Sequence, residues 1–369
     1  MKIECKKNNL SNAVLNIQNV VSTKSSIPAL EGILIKTEEN KIKLCGYDLE
    51  LGVTTLIEAK VEEPGSIVLN AKLFSEIVRK TQSENITIKT DSKLITEITG
   101  GESKFSIVGI TPEEYPELPR VDETSTLSLP GNTLKSMIRQ TIFAISESDA
   151  KPIHTGTLFE IEKNKIRLVS VDGYRLAIRE EQITSDIKTN FVVPGKALKE
   201  IVKLLGDNET ETEIKIGNRH ILFNIENYTV ISRLLEGDFL DYHAAIPQKS
   251  ETTAKIKVNE MVDSVSRVSL IITERLKSPV RCIFGENEIK LSSASSIGKA
   301  SDNLKAEIIG NDVEIGFNNS YFLDALNHTE CDEVKISLGG PLSPIKITPL
   351  DGESFIFLVL PVRLNNSIS

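Results

Sequence analysis

The chain has 369 residues, of which 40% are hydrophobic and 26% are charged, an ordinary composition for a globular protein of roughly two to three domains. No apolar run approaches the ~20 residues that span a bilayer, and no apolar segment follows the basic start, so we expect a cytoplasmic protein. The 43 basic and 52 acidic residues give a net charge of −9, which argues against tight nucleic-acid binding by cation excess.

The first predicted element is an amphipathic helix, and it occurs three times along the chain. Its first copy lies in 8–22, where apolar residues recur every three or four positions and would share one helix face. Copies with the same spacing lie in 131–146 and 259–273. The predicted buried stripes are Leu10, Val14, Ile17 and Val21, then Leu134, Ile138 and Ile145, then Met261, Val265, Val268 and Ile272.

A β-hairpin is predicted after each of these helices. Near-identical stretches occur at 39–44 (ENKIKL), 163–168 (KNKIRL) and 286–291 (ENEIKL), about 124 residues apart. An apolar, strand-like run precedes each stretch, and Asn with Lys or Glu stands where the chain must turn back. The repeat therefore predicts three equivalent hairpins.

Each copy then continues with a strand that leads into a second amphipathic helix. These segments are Ile67–Val78, Phe191–Val202 and Glu314–Leu326. At the start of each helix, where a capping side chain or a fixed φ is favourable, stand Asn70, Pro194 and Asn318. The equivalent residues predicted to be buried are Phe74, Leu198 and Phe322, and those on the solvent side are Glu76, Glu200 and Asp324.

Pro-rich or polar segments at 109–126 and 238–253 separate the copies. The chain is thus predicted to consist of three modules, at residues 1–121, 122–248 and 249–369. The order strand, helix, hairpin, strands, helix and hairpins predicts the α+β class with antiparallel sheets rather than a parallel α/β sheet. Repeated modules without a catalytic motif favour a scaffold that forms an arc or a ring.

Short catalytic and cofactor motifs are absent from the sequence. There is no phosphate-binding G-x-x-x-x-G-K-[ST] loop, no H-E-x-x-H pair and no G-x-S-x-G elbow. The four cysteines lack C-x-x-C spacing and the four histidines lack metal-ligand spacing, so we expect reduced thiols, no metal and no cofactor. An enzyme is disfavoured, although catalytic groups can converge from distant segments.

The stretch VDGYRLA at 171–177 reads as a tight turn with unusual side chains. Asp-Gly between apolar residues is by itself typical of a hairpin turn. The matching places in the other two modules read YDLELGV and ASSIGKA. Because the module does not require Tyr174, Arg175 and Leu176, we interpret these residues as candidates for a site specific to the second module.

Four stretches stand in order along the chain: MKIECKKNNL (1–10), GYDLELG (46–52), VDGYRLAI (171–178) and FLVLPVRL (357–364). Together with the repeat length they resemble the bacterial DNA polymerase III beta-subunit family, the replication sliding clamps, over the whole chain. The resemblance implies a DNA-clamp fold with helices inside and sheets outside, in a head-to-tail homodimeric ring around duplex DNA. It also implies a non-catalytic role without cofactors, with an ATP-driven clamp loader, the polymerase alpha subunit and other peptide-bearing clients as partners.

A closed ring can stay on DNA without strong binding, so the net charge is no objection if the lining of the ring is basic. Cations on the predicted helices share faces at three-, four- or seven-residue spacing and could form this lining. The resemblance adds Lys24 and the pair Glu147 and Ser148, although Glu147 is acidic. The expected DNA-facing residues are Lys24, Arg79, Lys80, Lys135, Arg139, Ser148, Lys196, Lys199, Lys203 and Arg267.

The resemblance also places a client-peptide pocket between the second and third modules, with VDGYRL as one wall and FLVLPVRL as the other. Val171, Leu240 and Ala244 replace the family's threonine, proline and larger, often basic residue, which bears on peptide preference. The polar tail Asn365–Ser369 extends past the usual family end, and we expect it to be disordered. The expected pocket residues are His154, Gly173, Tyr174, Arg175, Leu176, Leu240, Ala244, Ala245, Leu342, Pro344, Leu358, Leu360, Pro361, Val362, Arg363 and Leu364.

For the ring seam, the resemblance points to Ile107 and Val108 on an edge strand of the first module. Ile271 and Ile272 of the partner's third module would lie across it. Two other functions stay open at this point. One is an open three-repeat adaptor that binds peptides without enclosing DNA, and the other is a phosphodiesterase that uses Asp172, His154 and Arg175.

Overall fold

The computed structural model describes residues 1–148, 150–272 and 279–364. The predicted tail segment Asn365–Ser369 lies outside these residues. The α-helices in the described ranges are α1 (Lys7–Gln18), α2 (Ala71–Lys80), α3 (Gly131–Ile142), α4 (Gly195–Leu204), α5 (Val258–Ser269) and α6 (Asn319–Asn327).

The strands recur in three similar rounds. The first round comprises β1 (Lys2–Lys6), β2 (Gly32–Glu38), β3 (Lys41–Tyr47), β4 (Leu51–Glu58), β5 (Lys60–Glu63), β6 (Ser66–Asn70), β7 (Asn85–Thr90), β8 (Ile95–Gly100) and β9 (Ser103–Val108). The second comprises β10 (Glu123–Pro130), β11 (Gly156–Glu162), β12 (Lys165–Val171), β13 (Arg175–Gln182), β14 (Lys188–Pro194), β15 (Glu211–Gly217), β16 (His220–Ile225) and β17 (Tyr228–Arg233). The third comprises β18 (Thr252–Lys257), β19 (Val280–Gly285), β20 (Glu288–Ser295), β21 (Gly298–Lys305), β22 (Glu307–Gly310), β23 (Val313–Phe317), β24 (Glu333–Leu338), β25 (Ile345–Thr348) and β26 (Phe355–Val359).

The chain divides into two compact units. The first, unit 1, consists of Met1–Lys135 and Lys196–Leu234, and the second, unit 2, consists of Ser136–Gly195 and Leu235–Ser369. Strands of the central repeat enter both units, because β10 and β15 to β17 join a sheet of unit 1 and β11 to β14 join a sheet of unit 2. The module limits drawn from the sequence remain a prediction.

Unit 1 contains two antiparallel sheets. One has the strand order β5-β1-β7-β8-β9, and the other has the order β10-β15-β16-β17-β4-β3-β2-β6. Helices α1 and α2 pack against each other, and α1 turns its apolar stripe of Leu10, Val14 and Ile17 into the core. The predicted amphipathic pattern therefore positions this helix correctly.

Unit 2 also contains two antiparallel sheets, in the orders β14-β11-β12-β13-β26-β25-β24-β18-β22 and β21-β20-β19-β23. Its larger core is formed by α5, α6 and the strands around them, with Met261, Phe284, Phe322 and Phe357 fully buried. A smaller apolar cluster around Leu176 and Leu358 lies at the strand pair β13 and β26. The antiparallel α+β architecture that the sequence predicts is confirmed.

The three predicted hairpins are present and equivalent. Glu38 pairs with Lys41, Glu162 with Lys165, and Gly285 with Glu288, so each hairpin has a two-residue loop. The first loop residue has a left-handed backbone in each case, with φ of 51° at Glu39, 53° at Lys163 and 50° at Glu286. Short loops with positive φ match the right-handed twist of the flanking strands.

The predicted starts of the second helices are also confirmed. The Asn70 side chain accepts a hydrogen bond from Leu73 N (3.0 Å), and the Asn318 side chain accepts one from Ser320 N (2.9 Å). Pro194 is the last residue before α4. The three equivalent apolar residues Phe74, Leu198 and Phe322 are fully buried, as the repeat predicts.

The stripes of the first helices were predicted one step too long. Val21, Ile145 and Ile272 are only partly buried, because α1, α3 and α5 end three residues before each of them. Beyond a helix end the three- and four-residue spacing no longer keeps side chains on one face. Val20 and Ala144 are buried instead. No helix in the described ranges is long and apolar enough to cross a membrane.

Candidate functional site

The Asp172–Arg175 turn is held by its own aspartate. Asp172 Oδ1 accepts hydrogen bonds from Tyr174 N (2.9 Å) and Arg175 N (3.0 Å), and Gly173 between them has a φ of 91°. A left-handed backbone of this kind favours glycine. The aspartate therefore fixes the turn, and the turn presents Tyr174, whose side chain is 60% exposed.

The first module contains the same turn with different side chains. Asp48 Oδ1 accepts hydrogen bonds from Glu50 N (3.0 Å) and Leu51 N (2.7 Å), and Leu49 has a φ of 78°. The aspartate is thus common to the first two modules, whereas Tyr174 and Arg175 are not. This supports the interpretation that Tyr174 and Arg175 are specific to the second module, and it assigns a structural role to Asp172.

Arg175 ties the turn to helix α6. Its Nε donates to Asp172 Oδ2 (2.8 Å) and its Nη1 donates to Asp324 Oδ2. Its guanidinium carbon lies 4.6 Å from the centroid of the Tyr321 ring, within the range of a cation–π contact, and Tyr174 stacks on the same ring at 5.9 Å. Tyr321 is not among the residues predicted from the sequence. The repeats could have indicated it, because the residue before the buried Phe322 is a tyrosine only in the third module. The equivalent residues before Phe74 and Leu198 are Leu73 and Ala197.

The C-terminal segment forms the neighbouring wall. In the strand pair β13 and β26, Leu176 lies opposite Leu358, and beyond it Leu360 N donates to Tyr174 O (2.8 Å). Pro361 then pairs with Phe317 of β23, and Val362 N donates to Gly316 O (2.8 Å). These hydrogen bonds hold the stretch FLVLPVRL beside the turn.

A third wall is the segment between β17 and β18. Tyr242 in this segment is buried, and its hydroxyl donates to Glu160 Oε2 (2.6 Å) and accepts from Arg167 Nη1 (3.0 Å). The Phe239 ring meets the His154 ring edge-on at 5.4 Å. Leu240, Ala244 and Ala245 were predicted to line the pocket, and Tyr242 anchors the segment that carries them to the sheet.

The predicted pocket residues all belong to unit 2, where some are buried and others are exposed apolar side chains, and we call the buried ones the floor and the exposed ones the rim of the predicted pocket. Leu176 and Leu358 are buried in the small core cluster with Val171 and Tyr242, and they form the floor. The exposed apolar side chains of the rim are Tyr174, Leu240, Leu342, Leu360 and Val362. Arg363 and Leu364 follow Val362, and Pro344 lies just before β25, in the segment that also carries Leu342. An exposed apolar rim around a small cluster is typical of a site for a protein segment.

The titratable groups at this site do not resemble a catalytic centre. Burial, together with the charge of Lys151, lowers the pKa of His154 below its ordinary value, so the ring is neutral at pH 7. Arg175 is engaged by Asp172 and Asp324. Within residues 1–148, 150–272 and 279–364 no group of three or more His, Cys, Asp or Glu side chains could hold a metal ion.

The predicted DNA-facing cations fall into two classes. Four of them are engaged in ion pairs: Lys135 with Asp207 (2.7 Å), Lys203 with Glu200 (2.7 Å), Arg267 with Asp302 (2.6 Å), and Lys196 with Asp48. Lys135 is also largely buried, with 12% of its side chain exposed. The exposed cations without an ion pair in the described part of the chain are Lys24, Arg79, Lys80, Arg139 and Lys199.

The predicted seam residues lie on a free strand edge and at a helix end. Strand β9 is the last strand of its sheet, and Val108 is 77% exposed. Ile107 lies opposite the buried Thr96, whereas Val108 lies opposite the exposed Ile95, so the two point to opposite faces of the sheet. After α5, Ile271 and Ile272 are partly buried and Leu270 is 82% exposed, a residue that the sequence reasoning did not single out.

The fold is found in solved sliding clamps. The chain matches the DNA polymerase sliding clamp of Bacillus subtilis with a TM-score of 0.95 and 34% identity, covering 99% of this chain and 100% of that chain. It matches a putative DNA polymerase III beta subunit from Eubacterium rectale with a TM-score of 0.93 and 38% identity, with the same coverage. The architecture is therefore the three-domain DNA-clamp fold, and the class of protein is the DNA sliding clamp.

The family follows from three matches in order along the chain. Models of the N-terminal, central and C-terminal domains of the DNA polymerase III beta subunit match residues 1–119, 128–241 and 243–363. The beta sliding clamp of Bacillus subtilis (strain 168) is 34% identical over 98% of this chain and 100% of that protein. The chain belongs to the DNA polymerase III beta subunit family, and as a sliding clamp it is a non-catalytic component of the replication machinery. The phosphodiesterase alternative is wrong.

Proposed function

We propose that two copies of this chain close head to tail into a ring around duplex DNA and tether the replicative polymerase and other clients. A clamp loader driven by ATP would place the ring on DNA, as the resemblance implies, and the absence of a nucleotide-binding loop from this sequence fits that role for a partner. The ring would act in the cytoplasm. The observation that carries the proposal is the full-length match of fold and family, together with the edge positions of β9 and β21 in their sheets.

Two edge strands in the described part of the chain support the seam. Strand β9 in unit 1 and strand β21 in unit 2 are each the last strand of a sheet, so they could pair across two protomers and continue both sheets. Phe105 and Ile107 of β9 would then face the end of α5 of the partner, where Leu270 lies exposed. In this arrangement Ile107 contributes more to the seam than Val108, because Val108 lies on the other face of the sheet.

The solution mass tests the ring. We expect sedimentation equilibrium to give twice the 40.7 kDa of one chain. Ile107→Asp should shift the equilibrium towards one chain far more than Val108→Asp, its neighbour on the opposite face. A wild-type chain that stays monomeric at micromolar concentration would favour the open adaptor that binds peptides without enclosing DNA.

The pocket would receive a short, largely apolar segment of a client. Its rim offers Tyr174, Leu342 and Leu360 as exposed apolar surface for anchoring the peptide. Arg175 already donates hydrogen bonds to Asp172 and Asp324, so it would contribute mainly a fixed positive charge. Apolar anchors with few oriented polar groups suit partners that must exchange. Leu360→Asp should abolish binding of a client peptide in fluorescence anisotropy, whereas Leu56→Asp, an exposed leucine in unit 1, should leave it unchanged.

A further inference from the structure

The strand pairing that carries the predicted client pocket has a second copy in unit 1. In unit 2, strands β13 and β26 of different repeats pair, and in unit 1 strands β4 and β17 pair in the same antiparallel way. The backbone hydrogen bond from Leu360 N to Tyr174 O (2.8 Å) recurs in unit 1 from Arg233 N to Glu50 O (2.8 Å). Residues that match through this bond therefore occupy equivalent places in two copies of one structure.

The surface of the sheet in unit 1 lacks a side chain that the floor of the predicted pocket has. Gly52 of β4 lies opposite Ile231 of β17. The equivalent pair in unit 2 is Leu176 with Leu358. Because glycine has no side chain, a depression is left beside Ile231, and the buried Tyr47 borders it. We call this space between Gly52, Ile231 and Tyr47 the notch.

Leu118 of the same unit fills the notch. A Cβ atom at residue 52 would lie 2.5 Å from Leu118 Cδ2 and 3.2 Å from Tyr47 Cδ2, so the leucine side chain rests directly against the glycine backbone. Leu118 packs there against a small apolar cluster that includes Tyr47 and Tyr115. An apolar side chain held between two paired strands of different repeats is the arrangement proposed above for a client in unit 2.

The segment that carries Leu118 is attached to the sheet by few polar contacts. Residues 116–120, all within the described ranges, form no backbone hydrogen bond, and the prolines at 116 and 119 have no amide proton to donate. Just before the segment, the Tyr115 hydroxyl donates to a backbone oxygen of β3 (3.2 Å) and fixes its start. Local opening costs little where backbone hydrogen bonds are few, so residues 116–120 can leave the notch without unfolding of the sheet.

We propose that the notch is a second peptide site of each chain, which the chain closes with its own Leu118. Its ligand is an extended protein segment that bears a leucine-type side chain, because the notch already holds that group. Such a segment binds only when residues 116–120 are displaced, so the wild-type chain offers the open pocket of unit 2 while the site in unit 1 stays closed. The proposal rests on the proposed client pocket, since the equivalence of the two strand pairings gives the notch its function.

Binding of the closing segment as a separate peptide tests the site. The probe is a fluorescent synthetic peptide with the sequence of residues 114–120, EYPELPR, and the same peptide with alanine in place of leucine is the negative control. Full-length chains with Leu360→Asp, which disables the predicted pocket, are compared with and without Leu118→Ala. The matched control for the loss of a leucine is Leu56→Ala, which removes an exposed side chain of the same strand, β4, outside the notch.

The chain with Leu118→Ala should bind the leucine peptide roughly tenfold or more tightly than the chain without it, because the tethered leucine no longer competes for the notch. Leu56→Ala should leave binding unchanged. Adding Gly52→Ala to Leu118→Ala should reduce the gain, since the new Cβ enters the notch. Equal binding with and without Leu118→Ala, or equal binding of the two peptides, would overturn the site.

Two further measurements keep the outcome clear. Thermal unfolding shows whether Leu118→Ala is folded, and Leu118→Val, a smaller truncation, takes its place if it is not. Binding of a client peptide to the Leu360→Asp chain is measured separately. If Leu360→Asp does not weaken client binding, the proposed pocket of unit 2 fails, whereas if it does and Leu118→Ala brings no new binding, only the second site fails.

Discussion

Replacing Arg175 by alanine should loosen the turn at 172–175 from helix α6 without unfolding the protein. Arg175 is 10% exposed and Asp172 is 11% exposed, so this ion pair is largely buried, whereas Asp324 is 44% exposed. Removing one partner of a fully buried pair costs about 3–5 kcal/mol. Because Asp172 keeps two backbone donors and Asp324 can be solvated, we expect a smaller cost of about 2–3 kcal/mol here.

Hydrogen exchange measures this local cost directly. The amide of Leu360 donates to Tyr174 O, so it is protected only while the turn and the C-terminal segment stay together. A destabilisation of about 2–3 kcal/mol corresponds to exchange that is roughly 30- to 150-fold faster under conditions where exchange reports the opening equilibrium. Binding of a client peptide should weaken in parallel, because the rim loses the support of Tyr174 by Tyr321.

Lys188→Ala is the matched control, since Lys188 forms an ion pair with Glu162 on the same sheet but both side chains are mostly exposed. Such surface pairs contribute about 0–1 kcal/mol, so this variant should change neither the exchange rate of Leu360 nor the affinity for the client peptide by more than a few-fold. If the Leu360 amide exchanges at the wild-type rate in Arg175→Ala, the Arg175 guanidinium does not hold the turn against helix α6. The role assigned to the contacts between Arg175 and α6 would then be wrong.

Three further outcomes are expected. Asn318→Ala should cost about 1 kcal/mol at the start of α6 and weaken peptide binding, whereas Asn70→Ala should cost the same in α2 and leave peptide binding unchanged; equal effects on binding would contradict the assignment. The pKa of His154 is lower in the folded protein than in the unfolded chain, so the unfolded chain takes up a proton first as the pH falls through about 6.5. The thermal unfolding midpoint should therefore fall in this pH range. In His154→Asn this decrease should be absent. Cys5, Cys45 and Cys282 are buried and Cys331 is only partly buried, so iodoacetamide should label the folded protein at Cys331 alone; a second label would contradict the burial.

Much of the fold could be predicted because it depends on local patterns that occur three times. A two-residue loop needs a left-handed residue between apolar strands, and 39–40, 163–164 and 286–287 each satisfy this requirement. A helix start needs a capping group, and Asn70 and Asn318 supply one. Each feature is decided within a few residues, and its recurrence at a fixed spacing excludes coincidence.

The parts that could not be predicted depend on residues far apart in the sequence. Arg175 and Asp324 are 149 positions apart, and Lys135 and Asp207 are 72 apart. A helical face that looks free in the sequence can therefore be partly neutralised, as Lys135 is. The seam depends in the same way on a distant part of the chain. Adjacent strand residues such as Ile107 and Val108 face opposite sides of the sheet, and only the pairing register shows which side is the core.

Whether the protein encloses DNA is decided by loading it onto a circle and then cutting that circle. The protein would be loaded onto nicked circular DNA by a bacterial clamp loader with ATP and washed at high salt, and a restriction enzyme would then open the circle. A closed ring is held by topology, so we expect the protein to stay on intact circles through the wash and to be lost once they are cut. Protein that leaves intact circles in high salt, or that stays on DNA after cutting, would show that it is held by contact, and would contradict the ring.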